Sequence, residues 1–338
     1  MLTLLWRDLQ YRKWRVLSTV LLIGIVMTLL FLMTGLVGQF NREPFLASQR
    51  AGDDRVWLVP AGSSGPFTSG EILSAAVFEQ VPGVEPVLVG RAAIEGNPVM
   101  LVGRGYDGFE EPKLTGGRHP TAAGELVVDT VTELAVGDEV LVSNQPAVVV
   151  GTTHDATVLA GLPLVFGSLD FAQTALAAGQ PVVNAGLLAE APAVVPSELR
   201  LMTGEDVGED ARLLLENAVG SITLVQALLW LIASVVVAAV VYITALEKTR
   251  DVSVLKAVGG RNRAIAATLL GQALVMTLLG VALAAVLQNF VRPFFPLAVS
   301  IPASAWWKIP IASALVALAA GAAGVWRISK THPSEAFG

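Results

Sequence analysis

Few residues in this sequence are placed to do covalent chemistry. Its 338 residues include no cysteine, which excludes disulfide scaffolds, zinc–thiolate sites, thiol catalysis and iron–sulfur clusters. The histidines are His119, His154 and His332. None has metal-like spacing to another ligand, so each reads as solvated or locally bonded and no metal site is expected. The acidic doublets Asp53-Asp54 and Glu110-Glu111 are neighbours in sequence, which suits a hydrated surface better than an acid/base pair flanking a reacting bond. No GxSxG elbow surrounds a serine. Gly103-Arg104-Gly105-Tyr106-Asp107-Gly108 matches GxGxxG, but the acidic, Pro-containing Phe109-Glu110-Glu111-Pro112 follows. A pyrophosphate site needs a helix to begin within the motif, so the stretch reads as a Gly-rich turn. No catalytic residue is assigned.

The most specific pattern is non-covalent. Residues 247–261 read Glu247-Lys248-Thr249-Arg250-Asp251-Val252-Ser253-Val254-Leu255-Lys256-Ala257-Val258-Gly259-Gly260-Arg261. At helical spacing Val254, Leu255 and Val258 share a face, and Lys248, Arg250 and Lys256 are left for the others. The paired glycines then end the helix. Such a short amphipathic helix can lie on a lipid surface or dock in a groove of a partner.

The elements that hold this segment are membrane spans. Charged residues make up 15% of the chain, apolar residues 54%, and mean hydropathy is +0.64, against about 25% charge in soluble domains. Uncharged runs occupy 16–38, 221–246, 264–290 and 309–326, each close to the roughly 20 residues that cross a bilayer. Four transmembrane helices are expected. Arg7, Arg12, Lys13 and Arg15 precede the first, as in a signal peptide. That run exceeds the usual h-region of about 7–15 residues, so it reads as an uncleaved anchor.

The spans contain no Asp, Glu, Lys, Arg or His, only milder polar residues such as Gln226, Ser234, Tyr242, Gln272 and Thr277. This argues against a proton-coupled carrier or an ion channel. Small residues recur at four-residue spacing: Gly280 and Ala284 in the third span, and Ser313, Ala317 and Gly321 in the fourth. These read as close helix-packing faces.

Charge sets the expected orientation. Residues 39–220 hold 9 basic and 24 acidic residues, whereas the remainder holds 13 basic and 4 acidic. Lys and Arg concentrate before the first span, in residues 247–263 and after the fourth span, so both termini are expected in the cytoplasm. The acidic region then lies outside. It reads as a mixed α+β domain. Strands are expected at 55–59, 86–90, 98–103, 125–129, 181–188 and 198–202, and a hairpin at 139–151. Helices are expected at 70–80, at 168–178 behind Ser168, and from Glu205 towards the second span.

The fold class is therefore four transmembrane helices with one α+β extracytoplasmic domain inserted between helices 1 and 2. The organisation runs as an interfacial helix 1–15, spans 16–38, 221–246, 264–290 and 309–326, the outer domain 39–220, a cytoplasmic loop 247–263, an outer loop 291–308 and a tail 327–338.

The 247–261 segment resembles the cytoplasmic loop of ABC transporter permeases of the MacB/FtsX/LolC type, E-x-x-R-E-[ILV]-[GA]-[ILV]-L-[RK]-A-[LIV]-G. Glu247, Arg250, Val252, Val254, Leu255, Lys256, Ala257, Val258 and Gly259 match, with Asp251 in place of Glu and Ser253 at the small position. The tail, Pro333-Ser334-Glu335-Ala336-Phe337, resembles the family's terminal P-x-E-A-[LF], and the chain is most similar to DevC-like stand-alone membrane subunits. Cytoplasmic segments of about 15, 17 and 12 residues are too short for a nucleotide-binding domain, and no GxxxxGK[ST] loop occurs. ATP and Mg are therefore expected on a partner ATPase, with no cofactor on this chain.

The resemblance implies a non-catalytic subunit, paired with a second copy or a homologous permease, on an ATPase dimer in the bacterial plasma (inner) membrane. It implies mechanotransmission to the outer domain for export of lipid, peptide or another hydrophobic substrate. Glu247, Arg250, Val254, Leu255, Lys256 and Gly259 would form the ATPase-coupling surface. Membrane lipids are expected partners and a periplasmic adaptor is a candidate one; nucleic acid is not. Two readings stand beside this one: an FtsX-like regulator of a cell-wall hydrolase, and a non-ABC membrane receptor.

Overall fold

A computed structural model describes residues 13–52, 55–68, 71–105, 112–247, 262–295 and 299–330. The chain divides into two compact units, Met1–Gln39 with Gly220–Gly338, and Phe40–Val219. Helix α1 (Lys13–Gly52) is 40 residues long, about 60 Å at 1.5 Å per residue. A bilayer core is about 30 Å thick, so α1 is twice as long as a crossing requires. It contributes its residues up to Gln39 to the first unit and those from Phe40 onward to the second.

The second unit is built on strands β1 (Val56–Pro60), β2 (Leu73–Ser74), β3 (Glu85–Ile94), β4 (Asn97–Arg104), β5 (Leu114–Gly117), β6 (Glu125–Asp129), β7 (Glu139–Val142), β8 (Gln145–Thr153), β9 (Thr157–Val158), β10 (Leu162–Ser168), β11 (Val182–Val183), β12 (Ala185–Leu188) and β13 (Leu199–Met202). Short helix α2 (Ala75–Phe78) follows β2, α3 (Leu169–Ala177) follows β10, and α4 (Gly204–Leu214) follows β13. The main sheet runs β13-β1-β12-β3-β4-β10-β6-β8-β5. Within it β4 and β10, and β6 and β8, are parallel.

Strand β7 pairs with β8 along its length and with β3 at Ile94 and Val142. Strands β3, β4, β10, β6, β8 and β7 therefore close into a ring. Two-residue turns make its hairpins: Glu95-Gly96 joins β3 to β4 and Ser143-Asn144 joins β7 to β8, all four residues at positive φ. This is the turn geometry that matches strand twist.

Period-two alternation divides the apolar residues between two cores. Leu88, Val99, Leu101, Leu126, Val128, Val140, Val142, Val149 and Val165 fill one. Their neighbours Val87, Val89, Met100, Val102, Val127, Leu164 and Phe166 face the other, which they share with Trp57, Val59, Ala185, Leu187, Ala47 and Ala51. Because β4, β6 and β10 are covered on both faces, their sequences are continuous apolar runs rather than alternating ones. Helix α3 is capped by Ser168 Oγ, which accepts from Phe171 N (3.1 Å).

The structure differs from the sequence expectation at several segments. A helix expected at 70–80 is confined to Ala75–Phe78, because Leu73 and Ser74 pair instead with Val183 and Val182. The strand expected at 181–188 is split at Asn184. Its buried side-chain amide accepts from Val89 N (2.8 Å) and donates to Val89 O (2.8 Å), so it takes over the backbone pairing at that point. Strands β5, β9 and β10 are not among the expected ones.

The remaining helices are α5 (Glu216–Glu247), α6 (Asn262–Val291) and α7 (Ala305–Lys330). With α1 they are the four helices, among the described residues, long and apolar enough to cross a membrane. Leu224, Leu228, Leu231, Ile232 and Val235 of α5 are exposed, an apolar surface that fits hydrocarbon and not water.

Candidate functional site

No His/Asp/Glu cluster that could hold a metal is present among the described residues. The candidate residues lie at the end of α5 and among the packed spans of the first unit, and around the last turns of α1 in the second. The residues expected to face the ATPase are placed as follows. Glu247 ends α5. Arg250, Val254, Leu255, Lys256 and Gly259 lie outside the described residues, as do residues 1–12 of the expected interfacial helix and residues 331–338 of the tail.

The small residues of the spans lie inside the bundle. Gly24 and Gly280 bring α1 and α6 together. A Cβ on Gly280 would stand 2.5 Å from Ile23 Cγ2, and one on Gly24 would stand 2.8 Å from Leu283 Cδ2. Ala284 and Ala317 are fully buried in the same cluster as Ile23, Met27, Leu30 and Phe31. Ser313 Oγ donates to Ile309 O (2.7 Å) and lies 3.5 Å from Met27 Sδ. A Cβ on Gly321 would meet Leu270 Cδ2 at 2.8 Å. Gln226 Nε2 of α5 donates to Thr34 Oγ1 of α1 (2.9 Å). That is an interhelical polar bond of a kind worth about 0.6 kcal/mol on average in a bilayer.

The last turns of α1 are part of the outer unit's core. Ala47 and Ala51 are fully buried with Trp57, Val207 and Ala211. Helix α4 crosses close by: a Cβ on Gly208 would stand 2.5 Å from Phe45 Cδ1, and Ser48 Oγ donates to Gly204 O (2.7 Å). Thr203 starts α4 with a capping box, exchanging bonds with Asp206. That bonding holds the Asp206 carboxyl below its usual range.

Two buried ionisable side chains complete the seat, and sequence reading assigned neither. Arg104 is fully buried; it donates to Ala51 O (3.1 Å), a carbonyl at the C-terminal end of α1, and to Glu85 Oε1 (3.1 Å). A cation here complements the negative end of the helix. Arg55 pairs with the same Glu85. Glu43, the one acid in α1, is 1% exposed. Gly161 N donates to its Oε1 (2.7 Å) and Ala160 N to its Oε2 (3.2 Å). The available signal was a charge next to an apolar run: Arg104 closes Val99-Met100-Leu101-Val102-Gly103, and Glu43 follows the first span by five residues.

His154 is exposed, 4.0 Å from Asp155, and His332 lies outside the described residues. The decoy glycine motif begins at the end of β4, and its residues 106–108 lie outside the described residues.

An ABC transporter permease of Mycobacterium tuberculosis (strain ATCC 25618 / H37Rv) is 32% identical over 342 residues, covering 98% of each chain. The chain belongs to the ABC transporter permeases. A second permease, from Mycobacterium bovis, is 30% identical with the same coverage. The family model for the FtsX-like permease C-terminal matches residues 223–333. In this permease that stretch runs from α5 to the tail and includes residues 247–263. Among solved structures, the periplasmic region of MacB from Actinobacillus actinomycetemcomitans aligns with 48% of this chain and 94% of its own, at 14% identity and a TM-score of 0.35.

Proposed function

We propose that this permease is the non-catalytic membrane subunit of an ATP-driven transporter. It couples hydrolysis by a separate ATPase to motion of its outer domain, and so extrudes a lipid, peptide or other hydrophobic substrate. The observation that carries the reading is the full-length relation to ABC transporter permeases. Two features support it. At helical spacing the sequence after α5 puts Val254, Leu255 and Val258 together and leaves Lys248, Arg250 and Lys256 to the other sides, a pattern that suits docking in a partner's groove. Helix α1 is a single element from Lys13 to Gly52, whose last turns are built into the outer domain's core, so a displacement of its inner end has a direct route outward. Spans without ionisable groups suit a hydrophobic cargo.

The coupling surface is Glu247, Arg250, Val254, Leu255, Lys256 and Gly259. Both termini lie in the cytoplasm, and two permease copies, or this chain and a homologous one, sit on the ATPase dimer. Leu255→Asp places a charge on the apolar face. It abolishes permease-stimulated ATPase activity while leaving membrane insertion intact, read by hydrolysis assays and membrane fractionation. Undiminished stimulation in that variant overturns the assignment.

A further inference from the structure

A buried carboxylate needs full hydrogen bonding to offset its lost hydration, and Glu43 finds that bonding in one place. The donors are the amides of Ala160 and Gly161, in the turn between β9 and β10, and the side chain of Thr157, in β9 just before that turn. The turn is itself unusual. Leu159, Ala160 and Gly161 follow one another at φ 53°, 71° and 92°. Only glycine adopts this region without steric cost, so two of the three residues are held there against their own preference. The effect of that conformation is to aim successive N–H groups at one anion, a backbone nest. The flanking Ala156, Val158 and Leu164 are fully buried in the same core as Ala47 and Ala51 of α1. Strand β10, which leaves the turn, lies mid-sheet and pairs with both β4 and β6.

We propose that Glu43 is a positioning residue for transmission: it joins α1 to the β9–β10 turn, so that movement of the helix is delivered to β10 and through it to the centre of the sheet. The proposal rests on the reading of α1 as the transmitting element. Ser48 and Phe45 contact α4 by a single hydroxyl bond and by packing, whereas Glu43 grips the turn by both carboxylate oxygens.

The test uses the full chain in lipid nanodiscs with its ATPase, followed by hydrogen exchange with and without vanadate trapping. In Glu43→Gln one carboxylate oxygen becomes an NH2 facing an amide donor. Exchange at Ala160 or Gly161 rises about tenfold or more, with β4 and β6 still protected. The trapping-dependent change in β10 is lost, and ATP hydrolysis persists. Thr157→Val removes the third donor without altering the charge, and about threefold faster exchange at Ala160 or Gly161 is expected.

Unchanged exchange at 160 and 161 in both variants overturns the joint. A normal β10 response in Glu43→Gln overturns its role in transmission while leaving the transport reading intact. A wild-type permease whose outer domain does not respond to trapping overturns the transmission reading and the proposal with it.

Discussion

At the scale of single residues, the clearest electrostatic feature is the Glu125 carboxylate. Arg118 donates to it through both terminal nitrogens, and the amides of Thr121 (2.7 Å) and Ala122 (3.1 Å) add to the bonding. These bonds, the Arg118 pair foremost, hold its pKa down to about 2. A depressed carboxylate pKa contributes stability that is fully present above the unfolded value and lost as pH falls through the folded one. The window here runs from about pH 4.5 to about pH 2. Glu125→Gln lacks this contribution. Its thermal midpoint therefore lies below wild type at pH 7, and the gap narrows as the pH approaches 2; a gap that stays constant contradicts the assignment. Sequence reading placed Glu125 at the head of a strand, as the structure does. It did not find the partner, because the bond depends on how the loop from Arg118 to Ala122 folds back.

At the scale of elements, the crossing of α1 and α6 makes the same substitution act with opposite signs at two glycines. At Gly280 an added methyl meets Ile23 at 2.5 Å, whereas at Gly220 in α5 nothing lies within 4 Å. Overpacking costs about 1–3 kcal/mol, and replacing an unobstructed helical glycine by alanine gains about 1 kcal/mol. Gly280→Ala therefore lowers the thermal midpoint in detergent and Gly220→Ala raises it. Equal shifts would contradict this crossing.

The same scale shows what was legible in sequence. Ser168 with Asp170 announced α3, and the apolar runs announced β4 and β6. Strand β10 was missed because its seven residues, Leu162 to Ser168, include a proline and a glycine and resemble a loop until β4 and β6 pair with them. The expected helix at 70–80 shrank because a two-residue pairing with β11 competes for its start.

For the whole molecule, the charge division between residues 39–220 and the rest predicts the orientation. The cysteine-free sequence makes that directly measurable. A single cysteine replacing Val194, which is exposed, reacts with a membrane-impermeant maleimide in intact cells; one replacing Ser334 reacts only after permeabilisation. The reverse pattern inverts the topology.

Composition and hydropathy alone determined that the chain crosses a membrane four times and carries one mixed domain after the first crossing. That information is local: about 20 uncharged residues satisfy the bilayer wherever they stand in a fold. Tertiary structure alone decided where α1 ends and what it grips. A buried acid such as Glu43 looks in sequence like any surface glutamate. Its bonding exists only once a turn 117 or more residues later, with Ala160 and Gly161 held in left-handed backbone, is brought against it.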